Sequence, residues 1–94
     1  MPHYLYIIYS KKSNKYYVGE TYDVNRRIEN HNNHRYENSY SKIADDWQLK
    51  LCYECANRED ALYLESFIKR MKSVKFIEKI IVKSEILSDL ISKK

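Results

Sequence analysis

Three groups of side chains in this 94-residue chain have the types and spacing to do chemistry. Arg27 and His31 are four residues apart, so on a helix they stand one turn apart on one flank, while Arg26 faces nearly the opposite way. A guanidinium in that position can hold phosphate oxygens bidentately. Glu65 falls in a run whose apolar positions are Ala61, Leu64, Phe67, Ile68 and Met71, so helical periodicity places it at the margin of the buried face, beside Lys69 and Lys72. From Lys69 to Lys79 the cations Lys69, Arg70, Lys72, Lys75 and Lys79 face one acid, Glu78, a composition that suits phosphate contacts and equally a solvated helical face. Gly19, the only glycine of the chain, follows Tyr16-Tyr17-Val18. A glycine inside a strand requires a reason, which is a bulge, a positive φ or the close approach of backbone or substrate.

These residues need elements to position them. Tyr4 to Tyr9 is aromatic and β-branched, and after the polar break from Ser10 to Lys15 the run Tyr16 to Gly19 repeats that character, which predicts a hairpin with facing tyrosines. The break is too long for a tight primed turn, so it leaves the register open. Thr21 or Asp23 can cap a helix that packs through Val24 and Ile28. Trp47 to Cys55 reads as a third strand, with Leu49, Leu51, Tyr53 and Cys55 on one face. Asn57 and Asp60 begin the helix that carries Glu65. Ser73 and Ser84 can each cap a shorter one, apolar through Val74, Ile77, Ile80 and Ile81 and then through Ile86, Leu87, Leu90 and Ile91. Asn32 to Asp46 is polar and unperiodic and reads as a loop or a poorly packed helix. Its His34, Arg35, Tyr36, Tyr40 and Lys42 mix base-stacking with phosphate-binding types, as a surface loop also would.

Composition bounds the rest. Residues 1–94 are expected to form one domain, because 44% hydrophobic content over this length supports a single core. Seventeen Lys and Arg against 13 Asp and Glu give +4, a lean toward polyanions. Cys52 and Cys55 are spaced as C-x-x-C but sit in a strand, where they point to opposite faces. No second pair completes a zinc site, so they are expected to be reduced core filler. Without a basic leader or an apolar run of spanning length, the expectation is a soluble cytoplasmic protein with no membrane role. No repeat, linker or low-complexity tract is evident.

Tyr4-Leu5-Tyr6 with Tyr17-Val18-Gly19, then Asp23-x-x-x-Arg27-Ile28-x-x-His31-Asn32, then Ala61-x-x-x-Glu65-x-x-Ile68-Lys69, resembles the GIY-YIG nucleases. The likeness is to the small stand-alone branch, similar to the N-terminal domain of the excision-repair nuclease, and it runs from about Tyr4 to Lys79. It implies an α+β fold, a three-stranded antiparallel sheet flanked by helices in the order ββα, loop, β, ααα. It also implies hydrolysis of phosphodiester bonds, with DNA as the expected substrate and Mg²⁺ or Mn²⁺ held by Glu65. Tyr6, Tyr17, Arg27 and His31 map onto the family's catalytic positions, with the tyrosines assigned jointly. Gly19, Lys69, Lys72, Lys42 and Tyr40 are the expected substrate contacts. The chemistry needs an activated water, charge on the phosphate and help for the leaving oxygen, and each has a candidate here.

Two departures stand out. The first motif lacks the family's glycine, having Tyr4 in its place, and no asparagine follows Asn57 to serve near a metal. Three other readings stay open: a catalytically weak or inactive nucleic-acid-binding module on the same fold, a domain targeted by a separate partner protein, and a Glu65 that merely pairs with Lys69. The oligomeric expectation is a monomer or weak dimer.

Overall fold

In the computed structural model, residues 2–33 and 44–94 are described. Strand β1 (His3–Ser10) is followed by β2 (Lys15–Thr21), helix α1 (Val24–Asn32), strand β3 (Gln48–Cys55) and helices α2 (Arg58–Met71), α3 (Val74–Val82) and α4 (Glu85–Ser92). This is the α+β architecture and the element order expected from the sequence. The sheet is antiparallel in the order β2-β1-β3, so β1 is central. Centrality explains its composition: Leu5, Tyr6, Ile7 and Ile8 are all completely buried, because both faces of that strand are covered.

The two faces have different partners. Leu5, Ile7, Val18 and Cys55 pack with Ala61, Leu64 and Ile68 of α2, Ile80 of α3 and Leu87 of α4 in the larger core. Tyr6 and Ile8 face the other way, packing with Val24 of α1, Ala44 and Trp47 in a smaller one. Cys52 pairs with Tyr6 on β1 while Cys55 joins the larger core, so the two thiols diverge as strand alternation requires.

Local signals set most boundaries. Asp23 caps α1 by accepting from the Arg26 amide, Asn57 caps α2 through the Asp60 amide, and Ser73 caps α3 through the Phe76 amide. Ser84 does not behave as expected, since its backbone is already helical and its side chain makes no capping bond. The ends of two apolar stripes are also more open than expected, Met71 being 47% exposed and Val74 58%. Both flank the α2–α3 turn, where no element among the described residues covers them.

Register holds the main surprises. The loop from Lys11 to Asn14 closes β1 onto β2 with Asn14 at φ 54°, a left-handed conformation that asparagine tolerates. The directly facing tyrosines are Tyr9 and Tyr16, whose rings lie 4.7 Å apart. Tyr6 faces Gly19 and Tyr17 faces Ile8, so those two tyrosines are diagonal neighbours on one face. In the other pair, Ile7 opposes Leu51 but Ile8 opposes Leu49, and a bulge at Lys50 breaks the alternation. Leu49 is therefore turned away from Leu51, Tyr53 and Cys55 and left exposed, correcting the uniform face expected for this run. No helix among the described residues is long and apolar enough to cross a membrane.

Candidate active site

The buried centre of the site is Tyr6. Its ring lies over the α-carbon of Gly19: a Cβ built there would come 2.5 Å from Tyr6 Oη, 2.6 Å from Cζ and 2.8 Å from Cε1. The lone glycine is thus explained by a close approach from the neighbouring strand, and its φ is not positive. The ring cannot easily yield, because it is fully buried and its hydroxyl lies 2.9 Å from His31 Nε2. Gly19→Ala should therefore cost about 1–3 kcal/mol, the usual range for overpacking. In a chemical-denaturation series the Gly19→Ala/Tyr6→Leu double variant should lose less than the sum of the two singles. Strict additivity would show that the ring and the glycine are energetically independent.

Helix α1 delivers Arg27 and His31 to this tyrosine from one flank. His31 is 2% exposed, and burial first and the Arg27 charge second pull its imidazole down to about 4. Burial likewise pushes the Tyr6 phenol far above its ordinary value. A side-chain hydrogen bond from Arg27 acts in the opposite sense, and the Tyr17 and Glu65 charges add to the rise. Near neutrality His31 is uncharged and Tyr6 protonated. Since Arg27 can only donate, the arrangement that satisfies all three has Tyr6 Oη accepting from Arg27 and donating to His31 Nε2, with the histidine proton on Nδ1.

Tyr17 forms the outer layer. Its half-buried ring lies 4.8 Å from the His31 ring, 6.3 Å from Tyr6 and 6.4 Å from Trp47, the last edge-on. Over its ring, at 5.5 Å, sits the Lys69 ammonium of α2, a cation–π contact. Lys69 Nζ also donates to Glu65 Oε2 at 2.8 Å, one turn back on the same helix, and so ties Glu65 to the aromatic cluster. Lys72 lines the same cavity as Tyr17 and Lys69. The structure thus gathers Tyr6, Tyr17, Gly19, Arg27, His31, Glu65, Lys69 and Lys72 from four elements into one region. Tyr40 and Lys42 lie outside the described residues.

Two supporting residues escaped the sequence reading. Asn32, next to His31, accepts from the Trp47 amide at 2.7 Å and donates to the Trp47 carbonyl at 3.1 Å. This bidentate clamp fixes the start of β3 to the end of α1 and holds the Trp47 ring, 3% exposed, against Tyr17. The available signals were the single tryptophan and the asparagine beside the histidine, but the 15-residue separation hides their pairing.

Lys72 ends α2 in the left-handed conformation, φ 48° and ψ 41°, where glycine is the unstrained choice. Lys72→Gly is accordingly expected to raise the unfolding free energy by about 1 kcal/mol. If Lys72 holds phosphate, the same change should weaken nucleic-acid affinity and flatten its salt dependence. Unaltered stability in a urea titration would remove the strain argument.

As a donor set for a divalent ion the site is sparse. Glu65, 23% exposed at the side chain, is its carboxylate, and the described residues contain no cluster of three His, Cys, Asp or Glu. One carboxylate fits Mg²⁺ or Mn²⁺, which keep waters and accept substrate phosphate oxygens, better than it fits an ion that needs an all-protein cage.

The comparisons agree with the overall fold. Residues 2–80 match the GIY-YIG catalytic domain. The solution NMR structure of a UPF0213 protein from Bacillus halodurans is similar to this chain at 28% identity, with a TM-score of 0.55 over 87% of this chain and 84% of that one. No curated protein matches the chain. With the catalytic-domain match covering most of its length, the chain belongs to the GIY-YIG nuclease family.

Proposed function

We propose that this protein is an endonuclease that hydrolyses phosphodiester bonds of DNA, using one divalent metal ion held by Glu65. The observation that carries the reading is the layered tyrosine pair: a buried Tyr6 locked by Arg27 and His31, and a half-buried Tyr17 between His31 and Lys69. The two tyrosines are not equivalent. Tyr6 is sealed from water and kept protonated by burial, so it serves as a positioning residue that orients His31 and Arg27. Tyr17 is the tyrosine within reach of a bound water, and it is the general base of this proposal.

In the step proposed, water attacks phosphorus in line, its proton passes to the oxygen of an ionised Tyr17, the bond from phosphorus to the leaving oxygen breaks, and that oxygen takes a proton from solvent water. Lys69 stands beside Tyr17 to balance charge there, and Arg27 binds a non-bridging phosphate oxygen. A divalent ion at Glu65, when bound, supplies positive charge to the phosphate and to the departing oxygen. Metal binding at Glu65 requires the Lys69 ammonium to give up the contact it makes with that carboxylate.

The test uses purified protein with labelled single- and double-stranded DNA and RNA, with Mg²⁺ or Mn²⁺ and with chelator. The expected result is chelator-sensitive DNA cleavage by the wild type, reduced roughly 100-fold or more in Tyr17→Phe, the range for losing a general base. Equal cleavage by both proteins would remove Tyr17 from the mechanism. Salt-dependent binding without any cleavage would favour the alternative of a nucleic-acid-binding module on this fold.

A further inference from the structure

Edge strand β2 leaves a cavity of about 460 Å³ against the α2–α3 junction, and the mechanism above uses Tyr17 and Lys69 at its margin but not its apolar interior. Its wall along the strand is Tyr16, Tyr17 and Val18, and across from these stand Ile68, Val74 and Ile77. Ser73 and the two exposed lysines Lys69 and Lys72 complete the lining. The same two lysines line a second depression, of about 530 Å³, together with Glu65 and Arg70. A phosphate held between Lys69 and Lys72 therefore has a carboxylate and further cation on one side and an apolar, aromatic chamber on the other.

The chamber falls within the roughly 300–1,000 Å³ typical of small-ligand sites, and its combination of tyrosine, aliphatic wall and cationic rim is that of a base-stacking platform beside a backbone track. A base that is paired and stacked in a duplex cannot enter it. Lys72 is kept in the strained left-handed conformation at this rim, where glycine would relax the helix end, and strain of that kind collects where a side chain has a task.

We propose that this cavity binds an unpaired nucleobase adjacent to the scissile phosphate, which makes single-stranded or displaced strands better substrates than intact duplex. The proposal rests on the nuclease reading and adds the substrate feature that the site reads. Stacking against tyrosine is sequence-tolerant, so selectivity is for the unpaired state and not for one base.

The test compares three labelled ligands by fluorescence anisotropy in chelator, where no cleavage occurs: a thymidine pentamer, a pentamer of abasic residues with the same phosphates, and a blunt hairpin duplex. Wild-type protein is expected to bind the thymidine pentamer about tenfold more tightly than the abasic one, and more tightly than the hairpin. Tyr16→Leu, which keeps apolar bulk but removes the stacking ring, should bring the two pentamers together. Val74→Asn, at an exposed wall position, should do the same without touching the core. Equal wild-type affinity for base-bearing and abasic pentamers, or tightest binding of the hairpin, overturns the proposal. A base preference without cleavage when Mg²⁺ is restored would sink the nuclease reading and leave the base site standing, whereas cleavage without a base preference sinks the base site alone.

Discussion

Glu65→Gln is expected to lower DNA cleavage by roughly 100-fold or more, the scale of losing one charge-stabilising group, while leaving the fold almost untouched. The two outcomes separate because Glu65 has two candidate roles of very different size. Its visible partner is Lys69 at 2.8 Å, with side chains 49% and 23% exposed. An i,i+4 pair of that kind contributes only about 0.3–0.5 kcal/mol, much of it screened by salt. If the ion pair were the whole role, the variant would lose a few tenths of a kcal/mol and keep its activity. If Glu65 holds a divalent ion against the substrate, the amide keeps the shape of the side chain but loses the charge that binds the ion. Urea denaturation and single-turnover cleavage on one preparation distinguish the cases. Cleavage within about threefold of the wild type, outside the range expected for a lost electrostatic group, would end the metal-ligand role.

Features set by neighbours in sequence were legible, and those set by pairing across the fold were not. The caps at Asp23, Asn57 and Ser73 each use a side chain three residues from its target amide, so short-range spacing reveals them. The placement of Glu65 at a core margin follows from helical periodicity and is what the structure shows. The relation between Tyr6 and Gly19 depends on hairpin register, which the four-residue turn did not encode. Only when Tyr6 is set opposite Gly19 does the lone glycine acquire its reason, and the same register makes Tyr6 the buried tyrosine and Tyr17 the outer one. Leu49 was misplaced by one inserted residue, since a bulge reverses the face of everything beyond it. Residue type alone points to Ser84 as a cap, but its backbone is already helical and its side chain makes no capping bond.

The same inner layer makes stability depend on pH. His31 is held at about 4 inside the fold against an ordinary 6.5, chiefly because its protonated form would be buried and secondarily because Arg27 repels it. Between those values the unfolded chain binds a proton that the folded chain refuses, so unfolding becomes easier as pH falls. This contribution is intact above pH 6.5 and lost as pH drops toward 4, a total of about 3 kcal/mol. Asp45 and Asp46, whose carboxyls are lowered from 3.8, Asp45 by Lys12 and Asp46 first by Ser10, act in a separate window below that value. From pH 7 to pH 5 the wild type should lose about 2 kcal/mol of unfolding free energy. His31→Gln, whose amide oxygen can still accept from Tyr6, should show a much flatter profile over that interval. Activity should follow the folded-state value instead: it holds from pH 7 to pH 5 and falls as pH approaches 4, where a protonated Nε2 no longer accepts the Tyr6 hydroxyl and the Arg27–Tyr6–His31 arrangement comes apart. Parallel denaturation profiles for the two proteins would show that His31 is not the group that titrates.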